Sequence, residues 1–285
     1  MILITGATGR IGGATLKYLS RGGVALRALV RSPDKVASVA APRVETVTGD
    51  LAEPRSLDAA LEGVDAALLV SPLDPQQVAL QGNFIEAAKR AGRVHVVKVS
   101  GLGTALDSPV RSGRWHAQIE QHLEDSGLPF THLRPPFFMQ NILRFAPMIR
   151  ANGEFVGALH QGRVAMIDVR DIAAVAGTIL TTPGHAGKAY ALTGPEALSY
   201  QEVAERISTS LGRKVIYKDI PSEAMRERLR ASGMPEWHVE VQVDFSTALR
   251  AGQAATVTDV VAAVTGRQPR TFEQFFREHV ALFTD

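Results

Sequence analysis

The clearest chemical pattern in the sequence is a glycine-rich loop close to its beginning. Gly6, Gly9 and Gly12 follow a short apolar run and lead straight into a segment with helical periodicity. Glycine lets backbone N–H groups approach a pyrophosphate closely, and a helix N-terminus adds positive potential there. The spacing differs from the usual G-x-G-x-x-G, so the position of the loop between strand and helix carries the prediction. The predicted dinucleotide contacts are Gly6, Thr8, Gly9, Arg10, Ile11 and Gly12.

A basic residue after the second predicted strand indicates which dinucleotide binds. Folds of this kind usually place Asp or Glu about 20 residues beyond the loop, where it holds a ribose 2′-hydroxyl. Here the corresponding residue is Arg31. A guanidinium can bind a 2′-phosphate through two hydrogen bonds, with Ser32 and Lys35 assisting. The sequence therefore predicts NADPH, with NADH binding more weakly; the alternative is that Arg31 is an ordinary solvated arginine.

Further cofactor contacts are expected where the predicted strands end, because ligands of open α/β sheets bind at the carboxyl edge. These expected contacts are Asp50 and Leu51 after the third strand, Val70, Ser71 and Pro72 after the fourth, Ser100 after the fifth, and Pro136 and Phe137 after the sixth.

His116 and Glu120 form the candidate catalytic pair. Residues four apart share a helix face, so the imidazole and the carboxylate are expected side by side. His116 could then donate a proton near neutral pH, with Glu120 raising its pKa. The alternative is a pair that only shapes the pocket wall. Ser100 either hydrogen-bonds a substrate oxygen or caps the turn into Gly101.

Aromatic residues predict an apolar substrate pocket. Phe137 and Phe138 are consecutive in an extended segment and cannot both face the core, so one of them is expected to meet the ligand, near Asn141. Met234 and Trp237 are expected to shape substrate entry, although a Met and aromatic stripe is also typical of a core. No metal site is predicted, because His116 and Glu120 have no third ligand at a suitable spacing and Asp168 and Asp171 are expected to cap a helix.

The elements that must position these residues alternate between strand and helix. Short apolar runs at residues 2–5, 25–30, 44–48, 66–71, 94–100 and 130–134 predict six strands, with helices at 11–20, 76–91 and 112–126. This alternation predicts an α/β fold with a doubly wound parallel sheet. We place a dinucleotide-binding domain at residues 1–150 and a smaller, mostly helical substrate-binding region at 151–285, of which 163–194 packs back on the first domain.

The second half has a less regular pattern. We expect a helix at 141–151, short strands at 154–156 and 163–167 joined by a turn, a helix at 168–181, a strand at 189–193, and a short strand near 215–217 among helices.

Composition excludes several classes of function. The chain has 285 residues, 31 Lys and Arg against 29 Asp and Glu, and a net charge of +2 with no basic cluster, so no nucleic-acid partner is expected. The absence of cysteine excludes disulfides and thiolate nucleophiles. The longest apolar stretch, residues 172–180, is about half of what a membrane span needs. We expect a cytoplasmic monomer or homodimer without a membrane segment.

Short motifs follow the glycine loop along the whole chain. They are Val30-Arg31, Gly49-Asp50, Ser100-Gly101, Leu133-Arg134-Pro135, Phe138-Met139-Gln140-Asn141, Ile167-Asp168-Val169, Asp171-Ile172-Ala173, and Leu192-Thr193-Gly194 preceded by Tyr190. From residue 1 to about 280, the sequence resembles the NmrA-like branch of the atypical short-chain dehydrogenases/reductases. Within that family it looks most like the azoreductase, triphenylmethane reductase and quinone reductase group.

The resemblance implies a reductase that lacks the usual catalytic pair. The better-known short-chain dehydrogenases use Tyr-x-x-x-Lys, but none of the tyrosines, Tyr18, Tyr190, Tyr200 and Tyr217, has a lysine four residues later. We therefore predict NADPH-dependent hydride transfer to an electron-poor conjugated small molecule, such as a quinone, azo compound or cationic dye, which delocalises the incoming charge. The alternatives are a ketone or imine reductase that uses His116, and a non-catalytic regulator that senses NADP.

Overall fold

The strands and helices of the chain follow the alternation that the sequence predicts. The computed structural model describes residues 1–39, 41 and 43–284. In these residues the strands are β1 (Ile2–Ile4), β2 (Leu26–Val30), β3 (Val44–Thr48), β4 (Ala66–Leu69), β5 (His95–Val99), β6 (Phe130–Arg134), β7 (Glu154–Gly157), β8 (Arg163–Val164), β9 (Lys188–Ala191), β10 (Leu198–Ser199) and β11 (Ile216–Asp219). The α-helices are α1 (Arg10–Leu19), α2 (Val36–Val39), α3 (Ser56–Leu61), α4 (Gln77–Ala91), α5 (Arg111–Asp125), α6 (Ala146–Asn152), α7 (Val169–Thr181), α8 (Tyr200–Leu211), α9 (Ser222–Ala231), α10 (Glu236–Arg250), α11 (Val260–Thr265) and α12 (Phe272–His279).

A parallel sheet organises these elements in the order β3-β2-β1-β4-β5-β6-β9. The central strands are buried on both faces, which is why they are continuous apolar runs without polar alternation. The order turns back on itself between β1 and β4, and this is where a doubly wound sheet forms a ligand crevice. The predicted fold class is confirmed.

The sheet has one strand more than the six that the first half predicts. β9 pairs in parallel with β6, with Leu133 opposite Tyr190. Helix α7 precedes β9 and packs on α1, where a Cβ on Gly177 would come within 2.4 Å of the Tyr18 ring. Asp168 caps α7 by accepting a hydrogen bond from the Arg170 N–H at 2.8 Å, as expected for an acidic residue at a helix start.

The segment after β6 differs from the predicted helix at 141–151. A 3₁₀ turn covers Met139–Phe145, and α6 begins only afterwards. Pro147 has no N–H to donate to the carbonyl four residues earlier, so a continuous α-helix through this position would lose a hydrogen bond and clash. The expected strands at 154–156 and 163–167 belong to separate small sheets: β7 pairs with β11 in parallel, and β8 pairs with β10 antiparallel.

A second hydrophobic cluster underlies the C-terminal part, with Phe155, Phe272, Phe275 and Phe276 fully buried. This part lies over the carboxyl edge of β5 and β6, so its residues and the loops of the sheet surround the same space. None of the helices described is long and apolar enough to cross a lipid bilayer. The division at residue 150 stays a prediction.

Candidate active site

A groove of about 880 Å³ runs along the carboxyl ends of β1, β2, β3 and β4; we call it the loop groove. The residues predicted for cofactor binding in the first half converge here. Those that line it are Gly6, Thr8, Gly9, Arg10, Ile11, Gly12, Arg31, Ser32, Lys35, Asp50, Leu51, Val70, Ser71 and Pro72.

The glycine loop needs its glycines for close backbone approach. Gly6 has φ +56°, and a Cβ there would come within 3.0 Å of the Val70 carbonyl oxygen. A Cβ on Gly12 would come within 2.2 Å of the Gly6 carbonyl oxygen. Helix α1 begins at Arg10 with neither a capping side chain nor an acidic residue in its first turn, so its first N–H groups are available to an anion. This cradle of backbone donors fits the pyrophosphate of a dinucleotide.

Within the described residues, the side chain of Arg31 makes no hydrogen bond or ion pair, unlike those of Ser32 and Lys35. Ser32 donates a hydrogen bond to Asp34, and the Lys35 ammonium lies 3.2 Å from the same carboxylate. These two contacts hold the pKa of Asp34 below its ordinary value. Within the described residues Arg31 makes no ion pair and is exposed on the groove. Ser32 and Lys35 line the same groove, so their assistance to Arg31 stays a prediction; the Ser32 hydroxyl would have to leave Asp34, whereas the Lys35 ammonium has further N–H donors.

A smaller cavity of about 270 Å³ adjoins the loop groove; we call it the aromatic cavity. Leu73 and Phe138 line both spaces. Of the residues predicted for the site, the aromatic cavity is lined by Ser100, His116, Pro136, Phe137, Phe138 and Asn141. Ser100, Pro136 and Phe137 were predicted as cofactor contacts, and they border this cavity instead of the loop groove.

Met234 and Trp237 do not line the aromatic cavity, and their role in substrate entry stays a prediction. Trp237 stands in the first turn of α10 and stacks on His238, with ring centroids 5.0 Å apart. Helix α10 instead contributes Gln242, Phe245, Ala248 and Leu249. Arg111 on α5 contacts this part of α10: its Nε lies 2.6 Å from Asp244 Oδ2, one residue before Phe245.

His116 and Glu120 are on one helix but do not interact as predicted. Arg134 on β6 donates to Glu120 through Nε at 3.1 Å and through Nη2. Burial acts to raise the pKa of Glu120, but the hydrogen bonds from Arg134 and Ser100 outweigh it and hold that pKa below its ordinary value. Glu120 is thus an ionised partner of Arg134 and does not raise the pKa of His116.

The partner of His116 is Lys98, which sequence reasoning missed. Lys98 Nζ lies 2.9 Å from His116 Nδ1, and the Lys98 side chain is completely buried on β5. Burial, and then the Lys98 charge, hold the pKa of His116 well below its ordinary value. The sequence does contain an indication of this lysine: Lys98 interrupts the valines of a strand that is predicted to be buried on both faces. A charged side chain is rarely fully buried unless it is paired.

Three side chains near this site could together hold a metal ion: Glu120, Glu124 and His132 bring ligand atoms within 4.8 Å of one another. Each already has a protein partner, since Glu120 binds Arg134 and Glu124 Oε1 lies 3.0 Å from His132 Nε2. Burial lowers the pKa of His132, so its contact with Glu124 is a hydrogen bond of a neutral imidazole, beside the ion pair of Glu120 with Arg134.

Comparisons with known proteins agree with this geometry. The model of the NmrA-like family matches residues 1–276. The NAD(P)H azoreductase of Xenophilus azovorans is 44% identical over 283 residues, covering 99% of each chain. The crystal structure of an NADPH-dependent quinone oxidoreductase of Escherichia coli complexed with NADPH superimposes with a TM-score of 0.91 at 28% identity, over 99% of this chain and 100% of that one. The triphenylmethane reductase of Citrobacter sp. complexed with NADP(H) superimposes with a TM-score of 0.87 at 26% identity, over 98% and 99%.

Proposed function

Because the chain belongs to the NmrA-like family, we propose that it is an NADPH-dependent reductase of electron-poor conjugated small molecules, such as quinones, azo compounds and related dyes. The observation that carries the proposal is the junction of two spaces at Leu73 and Phe138. An acceptor in the aromatic cavity would lie against the end of a dinucleotide in the loop groove, as direct hydride transfer requires.

The cofactor is held by the residues of the loop groove. Backbone N–H groups at the start of α1 bind the pyrophosphate, and Arg31 binds the 2′-phosphate that distinguishes NADPH from NADH. Asp50 and Leu51 border the adenine end, and Val70, Ser71 and Pro72 border the middle of the groove. Bound NADPH supplies the hydride. The protein supplies proximity, orientation and exclusion of water.

The acceptor is held in the aromatic cavity. Phe137, Phe138 and Phe245 offer flat apolar surfaces to a conjugated ring system. Ser100 is 6% exposed at the end of β5 and lines the cavity. Its hydroxyl hydrogen is donated to Glu120, so a lone pair of its oxygen can accept from the carboxamide NH₂ of the cofactor, whereas donation to an oxygen of the acceptor requires the hydroxyl to leave Glu120. Asn141 stands at the boundary with the loop groove.

The decisive experiment is a panel of quinones, azo dyes and cyclic ketones assayed with NADPH and NADH in parallel. We expect acceptor-dependent loss of NADPH absorbance with quinones or azo dyes, and slower loss with NADH. NADPH binding without oxidation by any acceptor would instead indicate a regulator that senses the dinucleotide. A ketone or imine reductase is the second candidate, favoured by the position of His116 in the cavity wall.

Other predictions from the sequence belong with this proposal. The division into a dinucleotide-binding domain at 1–150 and a substrate-binding region at 151–285, the cytoplasmic location, the monomeric or homodimeric state and the lack of a nucleic-acid partner are all proposed on the sequence alone. The α10 residues that line the aromatic cavity are proposed as acceptor contacts, and Met234 and Trp237 remain candidates only for substrate entry.

A further inference from the structure

The amine of Lys98 is buried in the sheet, and its side-chain contact is the imidazole of His116. Lys98 is 0% exposed and is flanked on β5 by the buried residues Val97 and Val99. Nζ lies 2.9 Å from His116 Nδ1 and donates to the Val99 carbonyl oxygen at 3.4 Å. Within the described residues Lys98 has no carboxylate within ion-pair distance. A buried ammonium without a paired anion is costly, so its retention here calls for a function.

The contact with Lys98 determines which nitrogen of His116 carries the proton. An ammonium has only donors, so it hydrogen-bonds the lone pair of Nδ1. A neutral imidazole has one N–H, which must then be on Nε2. The amide nitrogen of Gln77 lies 3.2 Å from Nδ1 and 3.5 Å from Nε2, and it has no lone pair with which to accept that proton.

The Cδ2 and Nε2 edge of the His116 ring lies against Gly101, a residue of the aromatic cavity. A Cβ on Gly101 would lie 3.5 Å from Cδ2 and 3.9 Å from Nε2 of His116. Gly101 and His116 both line the cavity, whereas Lys98 does not. The imidazole therefore separates a buried proton source on one side from the acceptor on the other.

We propose that Lys98 and His116 form a proton relay, in which His116 protonates the reduced acceptor from Nε2 while Lys98 passes a proton to Nδ1. This inference rests on the proposed function, because the hydride comes from NADPH. His116 is the group that touches the acceptor, and Lys98 acts through it.

The step balances in atoms and charge. The acceptor gains two electrons and one hydrogen as hydride, and NADPH becomes NADP⁺. The Nε2–H bond breaks and its proton bonds to an oxygen or nitrogen of the acceptor. At the same time an N–H bond of Lys98 breaks and its proton bonds to Nδ1. His116 thus exchanges one neutral tautomer for the other, and Lys98 becomes a neutral amine. The reset runs back through the same ring, because Lys98 is fully buried: Nε2 takes a proton from water in the cavity while the Nδ1 proton returns to Lys98.

The electrostatic surroundings suit this route. Burial lowers the pKa of Lys98 to about 7, with Glu120 opposing the shift and Arg134 adding to it. The charged or titratable groups around the pair are Glu120 on α5 and His132 and Arg134 on β6, while α4 contributes the neutral Gln77. Lys98 can therefore lose and regain a proton near neutral pH. An imidazolium is disfavoured beside Lys98, so transfer between tautomers avoids the unfavourable charged state.

The geometry can be tested without activity by ¹⁵N NMR of histidine-labelled protein. In the wild type we expect His116 as the Nε2–H tautomer below the Lys98 pKa, with nitrogen shifts that titrate near pH 7 as Lys98 loses its proton. Lys98→Met should remove this titration, and Lys89→Met, which changes an exposed lysine on α4, should keep it. An Nδ1–H tautomer in the wild type below that pH would overturn the relay, whether or not the variant folds.

Catalysis supplies the second test, because acceptors differ in their need for a proton. Hydride alone converts a cationic triphenylmethane dye into its neutral product, but an azo nitrogen must also be protonated. Lys98→Met should therefore slow azo reduction roughly a hundredfold, the lower range for a general acid, and leave dye reduction within about twofold. Equal losses with both acceptors would overturn the relay. A wild type that oxidises NADPH with neither acceptor would refute the proposed function, while the NMR result would still decide how the pair shares its proton.

Discussion

Arg10 donates a hydrogen bond from Nη1 to Asn141 Oδ1 at 2.9 Å, joining the glycine loop to the 3₁₀ turn that follows β6. Arg10 lines the loop groove and Asn141 lines the aromatic cavity. The two spaces are thus joined by a hydrogen bond between side chains that follow β1 and β6, in addition to sharing Leu73 and Phe138.

Asn141→Ala removes the hydrogen bond to Arg10 and should weaken the binding of both NADPH and the acceptor. The pair is exposed, so we expect a change of less than about 1 kcal/mol in the free energy of unfolding. The Michaelis constants for NADPH and for the acceptor should both rise severalfold, because the groove and the cavity lose their common border. Steady-state kinetics and urea unfolding measure the two effects. Asn152→Ala, at an exposed position that lines neither space, should behave as the wild type; an unchanged Asn141→Ala enzyme would show that the hydrogen bond has no effect on binding.

Arg31→Ala should lower the affinity for NADPH by about 1.5–3 kcal/mol, the range for hydrogen bonds to charged groups. NADH has no 2′-phosphate, so its affinity should remain unchanged. Titration of both cofactors by tryptophan fluorescence or calorimetry gives the comparison, with Arg21→Ala as an exposed control. If both cofactors lost affinity equally, Arg31 would have a structural role only.

Arg144→Ala should change the preference for the charge of the acceptor. Among the described residues that line the aromatic cavity, Arg144 alone has a permanent charge, and its guanidinium stacks 4.9 Å from the Phe145 ring centroid. An exposed charge contributes about 1 kcal/mol, which corresponds to roughly a fivefold change in affinity. The Michaelis constant should rise for sulfonated or carboxylated acceptors and fall or stay constant for cationic dyes. Arg150→Ala, on α6 outside the cavity, serves as the control, and a uniform change across acceptors would contradict the electrostatic role.

Phe245→Ala should raise the Michaelis constant for bulky aromatic acceptors, because this ring forms part of the cavity wall from α10. Trp237→Ala is the matched control on the same helix: its ring stacks on His238 outside the cavity, so acceptor kinetics should remain within about twofold. NADPH affinity should be unchanged in both variants. A larger effect from Trp237 than from Phe245 would show that the tryptophan shapes substrate entry.

Lys98→Met should stabilise the protein most at low pH. The pKa of Lys98 falls from 10.5 to about 7 on folding, so the unfolded chain binds more protons between these values. The wild type therefore bears the full cost of the buried charge below about pH 7 and none above about pH 10.5. At neutral pH this cost is on the order of 4 kcal/mol. Urea unfolding across this pH range should show the advantage of the variant shrinking as pH rises; a constant difference would mean that Lys98 is not the titrating group.

The sequence predicts the positions of groove residues best where their surroundings are local. The loop from Gly6 to Gly12 comes directly after β1, and Arg31 comes directly after β2. Neighbouring parallel strands end at the same edge of the sheet, so the strand and helix assignments alone predict that these residues line one groove. Glu120 was paired with His116 on the basis of helical spacing alone. Its true partner, Arg134, is on a neighbouring strand, and the sequence gives no register between α5 and β6.

Residues of the C-terminal part were harder to predict for the same reason. Which turns of α10 reach the aromatic cavity depends on how the helix docks on α5, through Arg111 with Glu240 and Asp244. The periodicity of α10 identifies a helix but not its position along that contact. The size of Trp237 favours it as a pocket residue in the sequence, but Phe245, two turns later on the same helix, is the aromatic residue of α10 that lines the cavity.

The parallel pairing of β9 with β6 also has a consequence for synthesis of the chain. β6 carries Arg134, the partner of Glu120, and its outer edge is covered only when residues 188–191 join the sheet. Once β6 has emerged from the ribosome and before β9 follows, the sheet has an open edge of unpaired backbone N–H and C=O groups, which can pair with another nascent chain. The order of translation thus leaves the wall behind the acceptor site exposed until α7 and β9 emerge, and C-terminal truncations before residue 188 should aggregate rather than give a smaller dinucleotide-binding protein.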